Sequence, residues 1–297
     1  MNDVPATAHP TPEAMIADLT ELLDVEALDR DLYRGPRKKG GVGRIFGGQV
    51  IGQALMAAIR SIEDGKIPHS LHAYFMRPGD EDLPIIFRVE RDFDGGSFAN
   101  RRVIAMQKGQ AILNFTASFQ KTEEGLAHMS AMPDVRPPEE LPSTVDYARN
   151  HGDLLSAQVR SFLLRPGAIE LRPVKEPIFL TQRKTDPVNQ CWFRAVAPVR
   201  DDPRLHQVML AYASDMVLLG TSLLPHGLHF LMGKMQTASL DHALWLHEDF
   251  RIDDWLLYST DSPWAGHGRG FTRGSIFTRQ GKLIASVAQE GLIRQRG

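Results

Sequence analysis

The sequence predicts an α+β fold made of two tandem units, each with a long apolar helix followed by antiparallel strands. Three observations support this prediction. Apolar residues recur at helical spacing in residues 49–62 and again in residues 203–224. Strand-like segments separated by glycine-containing turns follow both stretches. The second set of segments repeats the order and spacing of the first, about 170 residues later.

The composition is that of a folded protein and argues against several classes. The chain has 297 residues, 42% hydrophobic and 24% charged, so it is not mostly disordered. A net charge of −2 gives no basic surplus, and we expect no nucleic-acid partner. One cysteine, Cys191, excludes a disulfide within the chain. No run of 18 apolar residues and no secretory signal are present, so we predict no membrane span and a cytoplasmic location.

The first unit is predicted to span residues 13–120. An amphipathic helix is predicted over residues 12–30, and the glycine-rich segment 40–48 leads into the first buried helix. Four strands follow: SLHAYFMR from Ser70, IIFRVERDF from Ile85, FANRRVIAMQ from Phe98 and QAILNFTASFQ from Gln110. The prolines of residues 121–150 predict a linker.

The second unit, residues 151–297, repeats this plan. A strand at 189–196 precedes the helix at 203–224, and the strands SLDHALWLH, DWLLYSTD, GFTRGSIFTRQ and KLIASVAQEGLIR come after it. A helix that is apolar on most faces must be buried, so each sheet should curl around its helix. Edge-to-edge pairing of the two sheets would also protect their edge strands. Such an arrangement is a double hotdog.

Several motifs of known chemistry are absent. The sequence contains no G-x-S-x-G, no phosphate-binding glycine loop and no H-E-x-x-H. His226 with His229, or Asp241 with His242 and His247, match no metal-site spacing, so we expect neither a metal nor a cofactor.

Three polar residues interrupt apolar surroundings. Asp215 lies in the helix VMLAYASDMVLLG, where it either caps a following helix or directs a carboxylate into a cleft as a base. Gln289 shares a strand face with apolar residues, and either pairs with backbone or orients a water. Ser239 begins a strand and is either an exposed strand-end serine or part of the same site.

Several sequence blocks together carry a resemblance to a known family. They include RIFGGQVIGQAL from Arg44, HSLHAYFMRPGD from His69, LAYASDMVLL from Leu210, SLDHALWLH from Ser239 and the VAQEG that contains Gln289. With these blocks the chain resembles the acyl-CoA thioesterase II family over about residues 13–294. The resemblance implies a double-hotdog hydrolase of acyl-CoA that uses no covalent nucleophile. It also implies that Asp215, Ser239 and Gln289 are catalytic, with Ser239 standing where the family commonly has threonine.

Further expectations concern the substrate. We expect medium- to long-chain fatty acyl-CoA, with self-association as a homodimer or homotetramer left open. Gly47 and Gly48 either bring backbone close to a ligand or only form a tight turn. His69 either lines the substrate or is structural, and Arg101 and Arg273 either meet the CoA phosphates or are ordinary strand arginines. Two other functions stay open, an enoyl-thioester hydratase or dehydratase and a non-catalytic acyl-CoA binder, although the D-x-N-P-x-H motif of the former is absent.

Overall fold

The computed structural model describes residues 10–38, 43–232 and 235–295. The strands, in chain order, are β1 Glu26–Asp29, β2 Leu32–Gly35, β3 Ile67–Phe75, β4 Ile85–Asp94, β5 Phe98–Gln107, β6 Gln110–Gln120, β7 Ile169–Pro173, β8 Val188–Ala195, β9 Met235–Ser239, β10 Asp241–Leu246, β11 Leu256–Gly266, β12 Arg269–Thr278 and β13 Leu283–Gln295. The α-helices are α1 Pro12–Leu23, α2 Gly47–Arg60, α3 Thr144–Asn150, α4 Ala157–Leu163, α5 Ile178–Thr181 and α6 Pro203–Ser214. Short 3₁₀ segments occupy Pro138–Glu140, Gly152–Leu154, Leu219–His226 and Phe230–Met232.

The strands form two antiparallel halves that join edge to edge. The first half runs in the order β1-β2-β4-β5-β6-β3, and the second in the order β10-β13-β12-β11-β8-β7, with β9 paired to the end of β13. Strand β3 pairs with β10, and the buried side chains of Leu71 and Leu244 lie opposite each other at this junction. The predicted double hotdog and its edge-to-edge pairing are therefore confirmed.

The long apolar helices α2 and α6 pack against each other inside the curled sheets. Helix α2 is buried along most of its length, as its apolar periodicity on several faces requires. Glycine makes the close approach possible, since a Cβ on Gly52 would lie 2.9 Å from Leu23 and 3.4 Å from the Val208 carbonyl oxygen. This packing brings the start of α2 beside the end of α6.

Three predicted elements differ from the structure. The helix predicted over 12–30 ends at Leu23, because Asp24 is extended and Glu26–Asp29 pairs with β2 as strand β1. The helix predicted over 203–224 is interrupted after Ser214 and continues as a 3₁₀ segment from Leu219. The predicted linker has neither helix nor strand from residue 121 to residue 137 but contains α3, which begins with a capping box formed by Ser143 and Asp146.

One helical stretch among the described residues, Pro203–His226, is long and apolar enough in composition to cross a membrane. Over half of its most apolar window, 56%, is buried within the fold. It is the core helix of the second half together with the 3₁₀ segment that follows.

Candidate active site

Asp215 is placed by the end of helix α6. The residue is the C-cap of that helix, and the chain turns away at this point with Met216 N donating to the Ala213 carbonyl oxygen. The helix dipole does not stabilise the negative charge of a carboxylate at a helix C-terminus. It is instead directed at the first turn of α2, where the Gly48 N–H donates a hydrogen bond to it. The carboxylate of one half therefore lies against the helix start of the other half.

The structure brings the three predicted catalytic residues together. Gln289 Nε2 donates a hydrogen bond of 2.9 Å to Asp215 Oδ1, and Ser239 Oγ donates one of 3.3 Å to the same oxygen. Ser239 was predicted to begin a strand but instead ends β9, since the next strand begins at Asp241. It lies opposite Gly291 of β13, two residues beyond Gln289. Both donors thus reach the carboxylate because β9 continues the sheet along β13.

The electrostatics of the carboxylate suit a base. Burial raises the pKa of Asp215 to about 6, while hydrogen bonds from Gln289, Ser239 and the Gly48 backbone act in the lowering direction. At neutral pH the group is ionised but more basic than an ordinary aspartate. It can therefore accept a proton from a bound water more readily than an ordinary aspartate can.

The two predicted glycines lie at this site. A Cβ on Gly47 would be 2.7 Å from Asp215 Oδ2, and one on Gly48 would be 2.2 Å from the Tyr212 carbonyl oxygen. These glycines form the turn into α2 and allow its backbone to approach the carboxylate, while their contact with a ligand stays a prediction.

Aromatic side chains that were not predicted as site residues surround the same point. The Phe75 ring lies next to Gly47, and Phe46 meets Tyr212 edge to face with ring centroids 5.1 Å apart. All three aromatic residues are only partly buried. They therefore offer apolar surface beside the carboxylate, and nothing in the local sequence pattern distinguished them from core residues.

Other predicted binding residues lie away from this site. His69 Nε2 is 2.8 Å from Ser118 Oγ, and its ring packs edge to face against Phe98. The exposed Arg273 pairs with Asp261 and is next in sequence to the fully buried Thr272, so alternation places it on the opposite face of the sheet from Gln289. The structure assigns neither residue a contact with Asp215.

Arg101 corrects an expectation. Its side chain is buried, with 1% of the residue exposed. It donates from Nε to Ser61 Oγ at 2.8 Å and from Nη2 to Asp94 at 2.6 Å, and to backbone carbonyls nearby. A guanidinium with its donors used inside the fold is not available to CoA phosphates. The prediction of a phosphate contact for Arg101 is therefore wrong.

Two further features of the described residues concern ligands. They contain no group of three or more histidine, cysteine or acidic side chains able to hold a metal. A cavity of about 580 Å³ lies at the start of α6 beside His206, Asp249 and Trp255, and none of the predicted site residues lines it.

Comparisons with known proteins decide the family. A family described as "Acyl-CoA thioesterase" matches residues 169–292, and one described as "Acyl-CoA thioesterase N-terminal domain" matches residues 36–120. Acyl-coenzyme A thioesterase 8 of Rattus norvegicus is 40% identical over 291 residues, covering 94% of this chain and 89% of the relative. The chain belongs to the acyl-CoA thioesterase family. Acyl-CoA thioesterase 2 of Haemophilus influenzae is 35% identical, with 94% of this chain and 98% of the relative covered.

Solved structures agree with the assignment of this chain to the acyl-CoA thioesterase family. The crystal structure of an acyl-CoA thioesterase II, TesB2, from Mycobacterium marinum is 41% identical with a TM-score of 0.76, covering 94% of this chain and 99% of that one. A hotdog-fold protein from Alicyclobacillus acidocaldarius, 18% identical with a TM-score of 0.75, shows the shared fold alone. The resemblance to acyl-CoA thioesterase II is confirmed, and the protein is a thioester hydrolase.

Ser239 of this thioesterase offers a graded test. Ser239→Ala removes one of the two side-chain donors to Asp215, so we expect kcat/KM for acyl-CoA to fall about tenfold, near the value of one hydrogen bond to a charged group. Ser239→Thr keeps the hydroxyl and should stay within about threefold of wild type, because only a methyl is added. Steady-state hydrolysis measures both. Equal activity of wild type and Ser239→Ala would show that Ser239 has no part in catalysis.

Proposed function

We propose that this thioesterase hydrolyses medium- to long-chain fatty acyl-CoA by direct attack of a water held by Asp215, Ser239 and Gln289. The observation that carries the proposal is the convergence of Gln289 and Ser239 on one oxygen, Asp215 Oδ1. Because two donors fix that oxygen, the carboxylate has a set orientation, with Oδ2 directed toward Gly47 at the start of α2.

The water needs an acceptor for each of its protons. Asp215 supplies one and takes that proton as general base. Gln289 Oε1 supplies the other, since it is buried and has no hydrogen-bond partner within the described part of the chain. With both protons held, a lone pair of the water is left for the thioester carbonyl carbon.

The reaction then proceeds through a tetrahedral intermediate. Water oxygen bonds to the carbonyl carbon while Asp215 receives the proton. The Gly48 N–H already donates to Asp215 and the Gln49 N–H to the Phe46 carbonyl oxygen, so the Gly47 N–H at the start of α2 is the backbone donor suited to stabilise the oxyanion. Collapse breaks the C–S bond, and the proton from Asp215 goes to the leaving sulfur, which gives a fatty acid and CoA.

The acyl group is proposed to lie on the aromatic side chains beside the carboxylate. Phe46, Phe75 and Tyr212 are partly exposed next to the glycine turn. Burying each methylene of a fatty chain against such surface stabilises the complex by about 0.8 kcal/mol, which favours longer chains over acetyl. A cytoplasmic location and self-association as a homodimer or homotetramer belong to the same proposal.

A second function on this fold is less well supported. A dehydratase domain of PpsC from Mycobacterium tuberculosis is 14% identical with a TM-score of 0.56, a likeness of fold alone. The residue after Asp215 is Met216, and the D-x-N-P-x-H motif is absent. A non-catalytic acyl-CoA binder has no need of a buried carboxylate with a raised pKa.

Free-thiol release from acyl-CoAs of increasing length, from acetyl to palmitoyl, tests the proposal. We expect the highest kcat/KM at medium or long chains and very low release from acetyl-CoA, because the aromatic surface is filled only by the former. An enoyl-CoA serves as a control and should yield thiol without hydroxyacyl product. Preference for acetyl-CoA would contradict the chain-length proposal, and formation of hydroxyacyl-CoA would favour the hydratase.

A further inference from the structure

Tyr258 of β11 is a buried tyrosine to which the proposed mechanism gives no role. It is 1% exposed, and its hydroxyl donates a hydrogen bond of 3.0 Å to the carbonyl oxygen of Ser214. Ser214 is the last residue of α6 and directly precedes Asp215. The sheet therefore contacts the peptide bond that leads into the proposed base.

The Ser214 carbonyl oxygen is one of the acceptors that a helix leaves without an internal partner at its C-terminal end. In a helix that continued, this oxygen would accept from the N–H four residues later. Apolar residues do continue past this point, yet α6 ends at Ser214 and 3₁₀ structure begins only at Leu219. The Tyr258 hydroxyl satisfies the acceptor without a further helical turn, and so favours an end of α6 just before Asp215.

The peptide unit between Ser214 and Asp215 is held at both ends. Its carbonyl oxygen accepts from Tyr258, and its N–H is directed to the Ala213 carbonyl oxygen. Because a peptide unit is planar and moves as one body, these contacts constrain the direction in which the Asp215 side chain leaves the backbone. The hydrogen bonds of 2.9 and 3.3 Å that reach Asp215 Oδ1 would not survive a shift of about 1 Å.

Gly274 of β12 gives the Tyr258 ring its place. Gly274 is not among the glycines with positive φ, so its backbone would admit any residue. The space would not, since a Cβ on Gly274 would lie 2.3 Å from Tyr258 Cε2 and 3.2 Å from Cζ, the atom that carries the hydroxyl. Both atoms belong to one rigid, buried ring, so a side chain at position 274 would displace the hydroxyl as well.

The Tyr258 hydroxyl stays protonated at the pH at which Asp215 acts. Burial raises the pKa of Tyr258 well above the ordinary tyrosine value, and the charge of Asp215 acts in the same direction. A neutral phenol adds no charge beside the base. Its effect on Asp215 therefore comes from the direction of its hydrogen bond.

We propose that Tyr258 is a positioning residue, whose hydroxyl holds the Ser214–Asp215 peptide so that the Asp215 carboxylate meets its two side-chain donors. The inference rests on the proposed function and adds Tyr258 and Gly274 to it. A hydroxyl that only satisfied a helix-end carbonyl would change stability and leave the kcat of the folded protein unaltered. The two roles are therefore separable by kinetics.

Tyr258→Phe removes the hydroxyl and keeps the ring. We expect kcat for acyl-CoA to fall at least about tenfold with KM within about twofold, because a misplaced base affects the transition state and not substrate binding. Tyr33→Phe is the matched control, since Tyr33 is 6% exposed and lies in the first half, and it should keep wild-type kcat. Steady-state thiol release well below the melting temperature of each variant measures both. Wild-type kcat in Tyr258→Phe, or a loss that appears in KM instead, would overturn the proposal.

Gly274→Ala perturbs the same hydrogen bond from the other side, because it displaces the ring with its hydroxyl intact. We expect kcat to fall at least about tenfold here too. In a Tyr258→Phe background the further loss should be less than about threefold, since the hydrogen bond is already absent. Losses that multiply in full would overturn the proposal. If Gly274→Ala does not fold, the comparison of Tyr258→Phe with Tyr33→Phe decides alone.

A double-mutant cycle with Asp215 tests whether Tyr258 acts through the base. In an Asp215→Asn background we expect Tyr258→Phe to lower kcat less than about threefold further, because the group that it positions is gone. A loss as large as that in the wild-type background would show that Tyr258 acts elsewhere and overturn the proposal. Failure of the proposed function is distinguishable, since wild type would then release no thiol or Asp215→Asn would keep wild-type kcat.

Discussion

Asp215→Asn is expected to lower kcat for acyl-CoA hydrolysis by about 10²- to 10⁴-fold, the range of a general base. Asparagine matches the shape of aspartate and keeps an oxygen for Gln289 and Ser239, which now converge on Asp215 Oδ1. It cannot take a proton from water, so the loss should appear in kcat while KM changes little. Thiol release at saturating substrate measures it.

Asp254→Asn is the matched control, because Asp254 is an exposed carboxylate before β11. It should retain wild-type kcat. A loss of less than tenfold in Asp215→Asn, with the control unchanged, would show that Asp215 is not the base.

The raised pKa of Asp215 also predicts how activity and stability depend on pH in wild type and in Asp215→Asn. Wild-type kcat/KM should fall below an apparent pKa near 6, because protonation removes the base. Since the pKa of Asp215 in the folded protein exceeds the ordinary aspartate value of 3.8, the stability contributed by this group is present below about pH 4 and is lost as pH rises through about 6. At pH 8 Asp215→Asn should therefore unfold at a higher temperature than wild type. Its free energy of unfolding should be greater by at most about 3 kcal/mol. Near pH 4 the difference should shrink.

Gly48→Ala is expected to reduce kcat/KM by at least about 10²-fold and to destabilise the fold by about 1–3 kcal/mol. The added Cβ would lie 2.2 Å from the Tyr212 carbonyl oxygen and 2.5 Å from the Phe46 ring. A backbone oxygen cannot rotate away, so the start of α2 must move from α6, and the Gly48 N–H must leave Asp215. Thermal melting and hydrolysis assays measure the two effects.

Gly96→Ala is the matched glycine control, since a Cβ there meets nothing within 4 Å. It should change stability by less than about 0.5 kcal/mol and leave hydrolysis intact. Wild-type behaviour of Gly48→Ala would mean that the two helix ends separate without cost, contrary to the packing described.

The sequence predicted the architecture well because its strongest signals are periodic. Apolar spacing located α2, and alternation located the main strands. The end of α6 at Ser214 was not predicted, because apolar residues continue past Asp215 and only the backbone turn distinguishes them. In contrast, the burial of Arg101 could have been predicted from the sequence, since alternation along β5 places its side chain on the same face as the buried Ala99 and Val103. The expectation of a phosphate contact did not take into account that this face of β5 is buried.

The candidate site was only partly predictable for a different reason. Asp215 and Gln289 attracted notice as polar residues in apolar elements. Their arrangement depends on contacts between residues far apart in sequence. The aromatic surface of Phe46, Phe75 and Tyr212 likewise arises only when the two halves meet.

The position of Arg101 has a consequence for the duplicated architecture. Ser61 caps the end of α2 as Asp215 caps the end of α6, and Arg101 pairs with Ala117 much as Thr272 pairs with Gln289. Where the second half directs an amide at a carboxylate, the first half directs a guanidinium at a serine hydroxyl. A twofold-related plan could hold one reaction centre in each half, but in the first half the buried Arg101 guanidinium is bound to Ser61 at the end of α2. The two halves are therefore unequal, and we expect substitutions around Arg101 to change stability alone and those around Asp215 to change turnover as well.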